Sequence, residues 1–206
     1  MKTATLLLCF IALTLQTQAQ RYVFFLHNMF LEDAGLKGVH PEYGKVEYKA
    51  ILDSFRNRGF VVISAVRPKG TDGAAYAQKT AKKVDSLIKK GVKPGNITVI
   101  GTSKGGYIAQ YTSNILKNDK VNYVFIGSCG EYLEEEPDVK WYGNVLSIYE
   151  KTDMWLSCEK MKNRQGNQVT RYKEIELNTG LKHGYLYKAM PQWIEPAAKW
   201  AQQEYK

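Results

Sequence analysis

Short apolar runs alternate with amphipathic segments along most of the chain. The runs are rich in β-branched and aromatic side chains, which predicts buried strands. They are Arg21–His27, Phe60–Val66, Ile97–Ile100, Val121–Gly127, Asn144–Glu150 and Arg171–Leu177. The predicted helices are Lys45–Gly59, Ala74–Lys90, a segment from Ser103 to about Lys117, and Met190–Gln203. This alternation predicts an α/β fold, a three-layer sandwich with a mainly parallel sheet of about six strands.

The beginning of the chain has a different pattern. Met1-Lys2 precedes the apolar stretch Ala4–Leu15, and a polar T-Q-A follows before Gln20. A basic start, a short apolar core and a small residue at the end predict a secretory signal peptide, residues 1–19. We therefore expect export to the periplasm or the cell exterior, and a single mature domain over residues 20–206. The apolar stretch is too short to predict stable membrane insertion. It also leaves too few apolar residues ahead of Cys9 for a lipoprotein anchor.

Composition and charge exclude several classes of function but do not identify the function. The net charge is +9, but the lysines are scattered and no basic stretch is interleaved with aromatic residues, so we expect no nucleic-acid partner. Three scattered histidines give no metal-ligand spacing, and no dinucleotide fingerprint is present, so we expect neither metal nor cofactor. The pattern predicts no particular oligomeric state.

The hexapeptide GTSKGG, residues 101–106, lies between a predicted strand and a predicted helix. It contains the form G-x-S-x-G, in which a serine on a tight strand-to-helix turn exposes its hydroxyl. Gly101 and Gly105 avoid collisions beside the turn, and the Lys104 backbone N–H lies where a developing oxyanion would be stabilised. A phosphate-binding turn is the alternative, but the spacing of a phosphate loop is absent. The junction predicts Ser103 as a nucleophile.

A serine nucleophile needs a base, and the chain offers three histidines. His27 ends the first predicted strand, and His40 lies in a loop before the first predicted helix. His183 follows the last predicted strand, at the edge of the sheet where sites of open α/β sheets form. His183 is therefore the predicted base.

The base in turn needs a carboxylate to fix its tautomer. Asp153 and Glu150 both belong to Y-E-K-T-D, which ends one predicted strand and begins the following loop. Asp153 extends further beyond the strand end, so we favour it and keep Glu150 as the alternative acid.

The elbow GTSKGG, the Y-E-K-T-D segment and the H-G-Y-L pattern from His183 together resemble the α/β-hydrolase family, in a small form with little cap. The resemblance covers nearly the whole mature chain. It implies Ser103 as nucleophile, His183 as general base and acid, and Asp153 as the orienting acid.

The oxyanion hole is less well defined by this resemblance. Lys104 would supply one backbone N–H, and the second would come from Asn28 or Met29. Many esterases have His-Gly-Gly after the first strand, whereas this chain has His-Asn-Met. The choice between Asn28 and Met29 therefore stays open.

Several loop residues bear on the substrate. The interval from Ser128 to Gly143 is too short for a lid domain, so we expect an open site for small-molecule or polymer-end esters. Arg67 could bind an anionic group, although a helix-capping or salt-bridge role is favoured. The aromatic side chains could line an acyl pocket or simply pack, and the acidic run is expected to be a solvated loop. These residues are Tyr132, Trp141 and Trp155, and Glu134, Glu135 and Glu136.

The favoured function is an exported carboxylesterase that acts through an acyl-enzyme. A serine peptidase or amidase would use the same three residues, and a catalytically silent binding protein of the same fold is the alternative outside enzymes. Cys129 and Cys158 could pair in an oxidising compartment or remain two independent small hydrophobic side chains.

Overall fold

The computed structural model describes residues 19–130, 138–164 and 166–205. Within them lies a six-stranded parallel sheet made of β1 (Tyr22–Leu26), β4 (Val61–Ile63), β5 (Ile97–Thr102), β6 (Asn122–Ile126), β7 (Tyr142–Glu150) and β8 (Gln168–Leu177). The strand order is β4-β1-β5-β6-β7-β8. Two short strands, β2 (Val39–His40) and β3 (Gly44–Lys45), form a separate antiparallel ribbon. The α/β class and the strand number predicted from the sequence are confirmed.

Helices cover both faces of the sheet. They are α1 (Met29–Ala34), α2 (Tyr48–Arg56), α3 (Gly73–Lys89), α4 (Lys104–Leu116), α5 (Glu159–Lys162) and α6 (Pro191–Ala201). A 3₁₀ turn, Lys182–Tyr187, joins β8 to α6. Among the residues described, no helix combines the length and the apolar character needed to cross a membrane.

The alternation of side chains along each strand builds two cores. In β1, Val23 and Phe25 face one side and pack with the apolar residues of α2 and α6, whereas Phe24 and Leu26 face the other side with those of α3 and α4. All four side chains are at most 5% exposed. Because both faces are covered there, the inner strands β1, β5, β6 and β7 are largely apolar, which is why they appear in the sequence as continuous apolar runs.

The structure differs from the sequence-based expectation at three places near the site. The region after β1 was expected to be a loop, but α1 begins there, with Asn28 as its N-cap: the Asn28 side chain accepts from the Leu31 N–H at 3.0 Å. The predicted helix from Lys45 begins only at Tyr48, because Gly44–Lys45 pairs in the small ribbon. The predicted strand Phe60–Val66 ends at Ile63.

The register of the sheet brings the strand ends together. Leu26 of β1 lies opposite Gly101 of β5, Thr102 opposite Ile126 of β6, and Ile126 opposite Ile148 of β7. The loops after these strands therefore converge at one edge, the carboxyl edge, where an open parallel sheet places its ligand site.

Candidate active site

Ser103 occupies a strained turn between β5 and α4. Its φ is 50° and its ψ is −123°, a conformation that costs a non-glycine residue on the order of 1–3 kcal/mol. Hydrogen bonds on both sides hold it: the Ser103 N–H donates to the Ile126 carbonyl at 2.9 Å, and its carbonyl accepts from the Gly106 N–H at 2.7 Å. The surrounding backbone thus imposes the turn that exposes the hydroxyl.

The glycines of the elbow are required by close backbone contacts. A Cβ at Gly101 would overlap the Gly105 carbonyl, and a Cβ at Gly105 would overlap the Leu26 carbonyl at the end of β1. A Cβ at Gly106 would collide with the Ser128 side chain. The three glycines of GTSKGG therefore let α4 start directly against the ends of β1 and β6.

His183 lies between the hydroxyl and a carboxylate. Its Nε2 is 3.0 Å from Ser103 Oγ, and its Nδ1 is 2.7 Å from Asp153 Oδ2. The second oxygen of Asp153 accepts from the Met154 N–H at 2.7 Å. Since an ionised carboxylate only accepts, Nδ1 carries the proton and Nε2 is left to accept from the serine hydroxyl. The Asp153 side chain is 1% exposed and that of His183 is 20% exposed, so solvent reaches the imidazole but not the carboxylate.

The other two histidines are placed elsewhere. His27 is buried, and its ring bonds to the backbone of Arg67 and Asn28. Burial, with the neighbouring Arg67 charge, lowers the pKa of His27 to about 4. His40 stacks on Tyr43 with ring centroids 4.5 Å apart. Neither has a hydrogen bond to Ser103 within the part of the chain that the structure describes.

Glu150, the alternative acid, contacts the loops and not the histidine. It is buried at the end of β7. Its Oε2 accepts from the Thr179 N–H and hydroxyl, both at 2.8 Å, and its Oε1 accepts from the Thr152 hydroxyl at 3.0 Å. Burial opposes ionisation, yet the hydrogen bonds from Thr179 and Thr152 hold its pKa below the ordinary range. Glu150 therefore joins the loop that carries Asp153 to the loop that precedes His183.

The candidate oxyanion donors lie at the starts of two helices. Lys104 is the first residue of α4, Met29 is the first residue of α1, and Asn28 is the cap before it. The N–H groups of a helix's first turn have no acceptor within the helix, so they are available to a ligand. Both helices begin where β5 and β1 end side by side, at the carboxyl edge.

Arg67 does not face the open site. Its side chain is fully buried and its Nε donates to Glu32 Oε2 at 2.9 Å. Among the roles considered from the sequence, which were anion binding, helix capping and a salt bridge, Arg67 forms the salt bridge. Glu32 itself had no signal in the pattern of the sequence, because an acidic residue in a short surface helix ordinarily faces solvent.

Cys129 and Cys158 form a disulfide, with their Cα atoms 5.1 Å apart. Cys129 lies in the segment after β6, and Cys158 follows the Asp153 loop after β7. The bridge therefore ties the loop that carries Asp153 to the neighbouring segment.

Of the three aromatic residues considered for an acyl pocket, the structure describes Trp141 and Trp155, and they differ in burial. Trp141 is fully buried and packs against Phe125 in the core. Trp155 is partly exposed and covers Gly130, where a Cβ would collide with its ring. Tyr132 and the acidic run Glu134–Glu136 lie outside the described residues, as do residues 1–18 of the predicted signal peptide and its Cys9. The described residues hold no group of three side chains that could bind a metal ion.

No protein-family model and no curated protein sequence matches the chain. Solved structures do match it over most of its length. SOBER1 from Arabidopsis thaliana is 12% identical, with a TM-score of 0.58 over 91% of this chain and 100% of that one. The esterase PE8 is 13% identical, with a TM-score of 0.57 over 91% and 94%. A candidate α/β hydrolase from Agrobacterium tumefaciens, ATU1826, is 14% identical, with a TM-score of 0.59 over 92% and 87%.

Taken with the topology and the serine elbow, these similarities define the fold. The chain has the α/β-hydrolase fold, as the resemblance of its motifs predicted. Identities of this size establish the architecture, whereas the chemistry has to be argued from the side chains.

Proposed function

We propose that this protein is an exported serine hydrolase that cleaves carboxylic esters through an acyl-enzyme. The observation that carries the proposal is the continuous hydrogen-bonded chain from Ser103 through His183 to Asp153. This arrangement on a strained elbow is the geometry that nucleophilic catalysis by serine requires.

Each residue of the chain has a defined task in the proposed reaction. His183 Nε2 takes the proton of Ser103 Oγ as the oxygen attacks the ester carbonyl, and the carbonyl oxygen becomes an oxyanion. Asp153 stabilises the imidazolium that forms. His183 then gives its proton to the leaving alkoxide as the carbon–oxygen bond breaks, which leaves the acyl group on Ser103. A water molecule, deprotonated by the same imidazole, releases the acid and restores the hydroxyl.

The oxyanion would be held by backbone N–H groups. Lys104 offers one, and Asn28 or Met29 offers the second. Such donors act on the transition state more than on the bound ester, so they raise the rate of the chemical step.

Exposed apolar side chains are more frequent in the segments after the strand ends than elsewhere in the described residues. Of the nine large hydrophobic side chains that are exposed among the described residues, seven lie in segments that follow the carboxyl ends of strands. They are Met29, Leu36, Val39, Val66, Met154, Leu156 and Leu181. We expect such side chains to favour an ester with an apolar portion. The name of PE8, an esterase, agrees with this choice of bond.

Export is supported by the disulfide. Disulfides persist in oxidising compartments and are rare in the cytosol, and Cys129–Cys158 joins two loops of the fold. With the signal-like residues 1–19, this favours a periplasmic or extracellular enzyme whose mature chain begins near Gln20. The mass of the protein recovered from the exported fraction would test the cleavage site.

The proposed chemistry is tested by labelling and by turnover. A fluorophosphonate probe should label the wild-type protein and fail to label Ser103→Ala, with circular dichroism to verify that the variant is folded. Turnover is then compared on a panel of aryl esters of increasing acyl length and on matching aminoacyl amides.

The outcomes separate the alternatives. Ester turnover well above amide turnover supports an esterase, whereas comparable rates on amides would favour a peptidase. Folded wild-type protein that neither reacts with the probe nor hydrolyses any ester would indicate a silent binding protein.

A further inference from the structure

We infer that Glu32, Arg67 and Lys104 form one buried ion cluster whose role is to position the oxyanion donors, with Glu32 as its central positioning residue. The inference rests on the proposed function, because an oxyanion forms only if Ser103 attacks a carbonyl. Three chain segments meet in the cluster: helix α1, the segment after β4, and the first turn of α4.

Glu32 joins all three segments through its two oxygens. Oε2 accepts from Arg67 Nε at 2.9 Å. Oε1 accepts from Lys104 Nζ at 2.6 Å and from the Thr71 N–H at 3.0 Å. The Glu32 side chain is 1% exposed. Although its burial opposes ionisation, the hydrogen bonds and charges of Lys104 and Arg67 lower its pKa, so the carboxylate stays charged at neutral pH.

Arg67 holds the two peptide groups after β1 whose N–H groups, those of Asn28 and Met29, are candidate oxyanion donors. Its Nη2 donates to the His27 carbonyl at 2.5 Å and approaches the Asn28 carbonyl at 3.4 Å. Both peptides are trans, and in a trans peptide the N–H points away from the carbonyl. The Asn28 and Met29 N–H groups are therefore directed away from Arg67.

The His27 ring also holds this segment after β1. Its Nε2 accepts from the Arg67 backbone N–H at 2.9 Å, which leaves the proton on Nδ1, and Nδ1 donates to the Asn28 carbonyl at 2.8 Å. The Asn28 carbonyl, which belongs to the same peptide group as the Met29 N–H, is thus bonded to the His27 ring, and the ring is bonded to the Arg67 backbone. Rotation of this peptide would break these bonds in a buried setting.

Lys104 connects Glu32 and the segment after β4 to the turn that carries Ser103. Its backbone N–H is the other candidate donor, and its ammonium also donates to the Thr71 carbonyl at 2.7 Å. The side chain thus reaches across from the first turn of α4 to the segment after β4, while the backbone stays beside Ser103. The distance between the donors on α4 and on the β1 loop is set through Glu32.

A device of this kind has a kinetic signature. Displacing an oxyanion donor weakens binding of the transition state and leaves binding of the ground-state ester nearly unchanged. Loss of one donor in other serine hydrolases lowers kcat by roughly 10²–10³-fold, so displacement should cost less than that. We expect about a tenfold loss of kcat in Lys104→Met and a somewhat larger loss in Glu32→Gln, with KM within about twofold of wild type.

The experiment compares matched variants on one aryl ester. Lys104→Met is the primary variant, because its side chain is 22% exposed and the Glu32–Arg67 pair remains. The control is Lys89→Met, which removes the ammonium of an exposed pair with Asp85 on α3 and should leave kcat unchanged. Affinity for a trifluoromethyl ketone, which forms a tetrahedral adduct with the serine, should fall by the same factor as kcat/KM. If Glu32→Gln folds, its combination with Lys104→Met should cost little more than the worse single change.

The results distinguish this inference from the proposed function. An active wild type with Lys104→Met at full kcat, or with the loss confined to KM, would overturn the positioning role alone. So would a loss of kcat without a parallel loss of ketone affinity. A wild type that is neither labelled by a fluorophosphonate nor active would overturn the proposed function and, with it, the premise of this inference.

Discussion

Removing the disulfide tests how the loop that carries Asp153 is held. The perturbation is the double replacement Cys129→Ala/Cys158→Ala, with alanine chosen because both side chains are 2% exposed. The two cysteines are 29 positions apart, and for a loop of this length the chain-entropy model gives about 3.5 kcal/mol. For a domain of this size that corresponds to a fall in Tm of roughly 7–14 °C.

Activity should respond less than stability. Glu174 also holds this loop: it accepts from the Ser157 hydroxyl at 2.5 Å and from the Cys158 N–H at 2.8 Å. These bonds survive the removal of the sulfurs. We therefore expect less than about a tenfold loss of kcat at 25 °C, since Asp153 keeps its bond to His183, but thermal inactivation at a lower temperature than in wild type.

The assay pairs thermal unfolding, followed by circular dichroism, with ester turnover over the same temperatures. Glu174→Gln in both backgrounds is the matched control: activity should fall steeply only when the bridge and the Glu174 contacts are both weakened. A Tm within 2 °C or so of wild type would refute the entropic argument. Two thiols that alkylate freely in the unreduced, denatured wild type would show that the bridge itself is absent in solution.

Three further predictions concern single side chains. Asp153→Asn should lower kcat by about 10⁴-fold with little change in Tm, whereas Glu150→Gln should lower Tm more than kcat, and the reverse order would assign the acid to Glu150. Ser103→Ala and His183→Ala should each remove most ester turnover, and the double variant should be no worse than about twofold below either; additive losses would contradict a unit of three residues. His27 is buried and neutral, and its pKa is about 4, compared with an ordinary 6.5. Protons therefore bind preferentially to the unfolded state. Between pH 7 and pH 5 the free energy of unfolding should fall by about 2 kcal/mol because of this group. Denaturant melts at both pH values should show a smaller fall in His27→Gln, and an equal fall would contradict this assignment.

The fold was largely predictable because its signals are local. A strand buried on both faces must be apolar along its length, and four of the six strands, β1, β5, β6 and β7, appear in the sequence as such runs, apart from their ends. β8 lies at the edge of the sheet and is mostly exposed or half-buried, so its sequence alternates with charged residues. β4 is the other exception, since Ser64 already turns away from the sheet, where its hydroxyl donates to the Phe25 carbonyl at 2.6 Å. Helix α1 was not predicted because its six residues are too few to show the helical repeat of apolar positions, although Asn28 and Gly35 mark its two ends.

The candidate site was predictable to the extent that it follows from strand order. Ser103, Asp153 and His183 each follow the carboxyl end of a strand, and parallel strands place those ends at one edge. Asp153 was favoured over Glu150 because it extends further beyond the strand end, and in the structure it is the Asp153 carboxylate that contacts the imidazole. The Glu150 contacts to Thr179 and Thr152 explain why a second carboxylate is present at this edge.

The ion cluster lay beyond sequence reasoning for a physical reason. Glu32 and Lys104 are 72 positions apart, and Glu32 and Arg67 are 35 apart, so no periodicity or spacing connects them. Each alone is an ordinary charged residue near a helix start or a strand end. Removing one member of a buried ionic group leaves the others unpaired, which typically costs 3–5 kcal/mol. This cost applies to the fully buried pair of Glu32 and Arg67, whereas the Lys104 side chain is 22% exposed, so its ammonium can be removed while the buried pair stays intact.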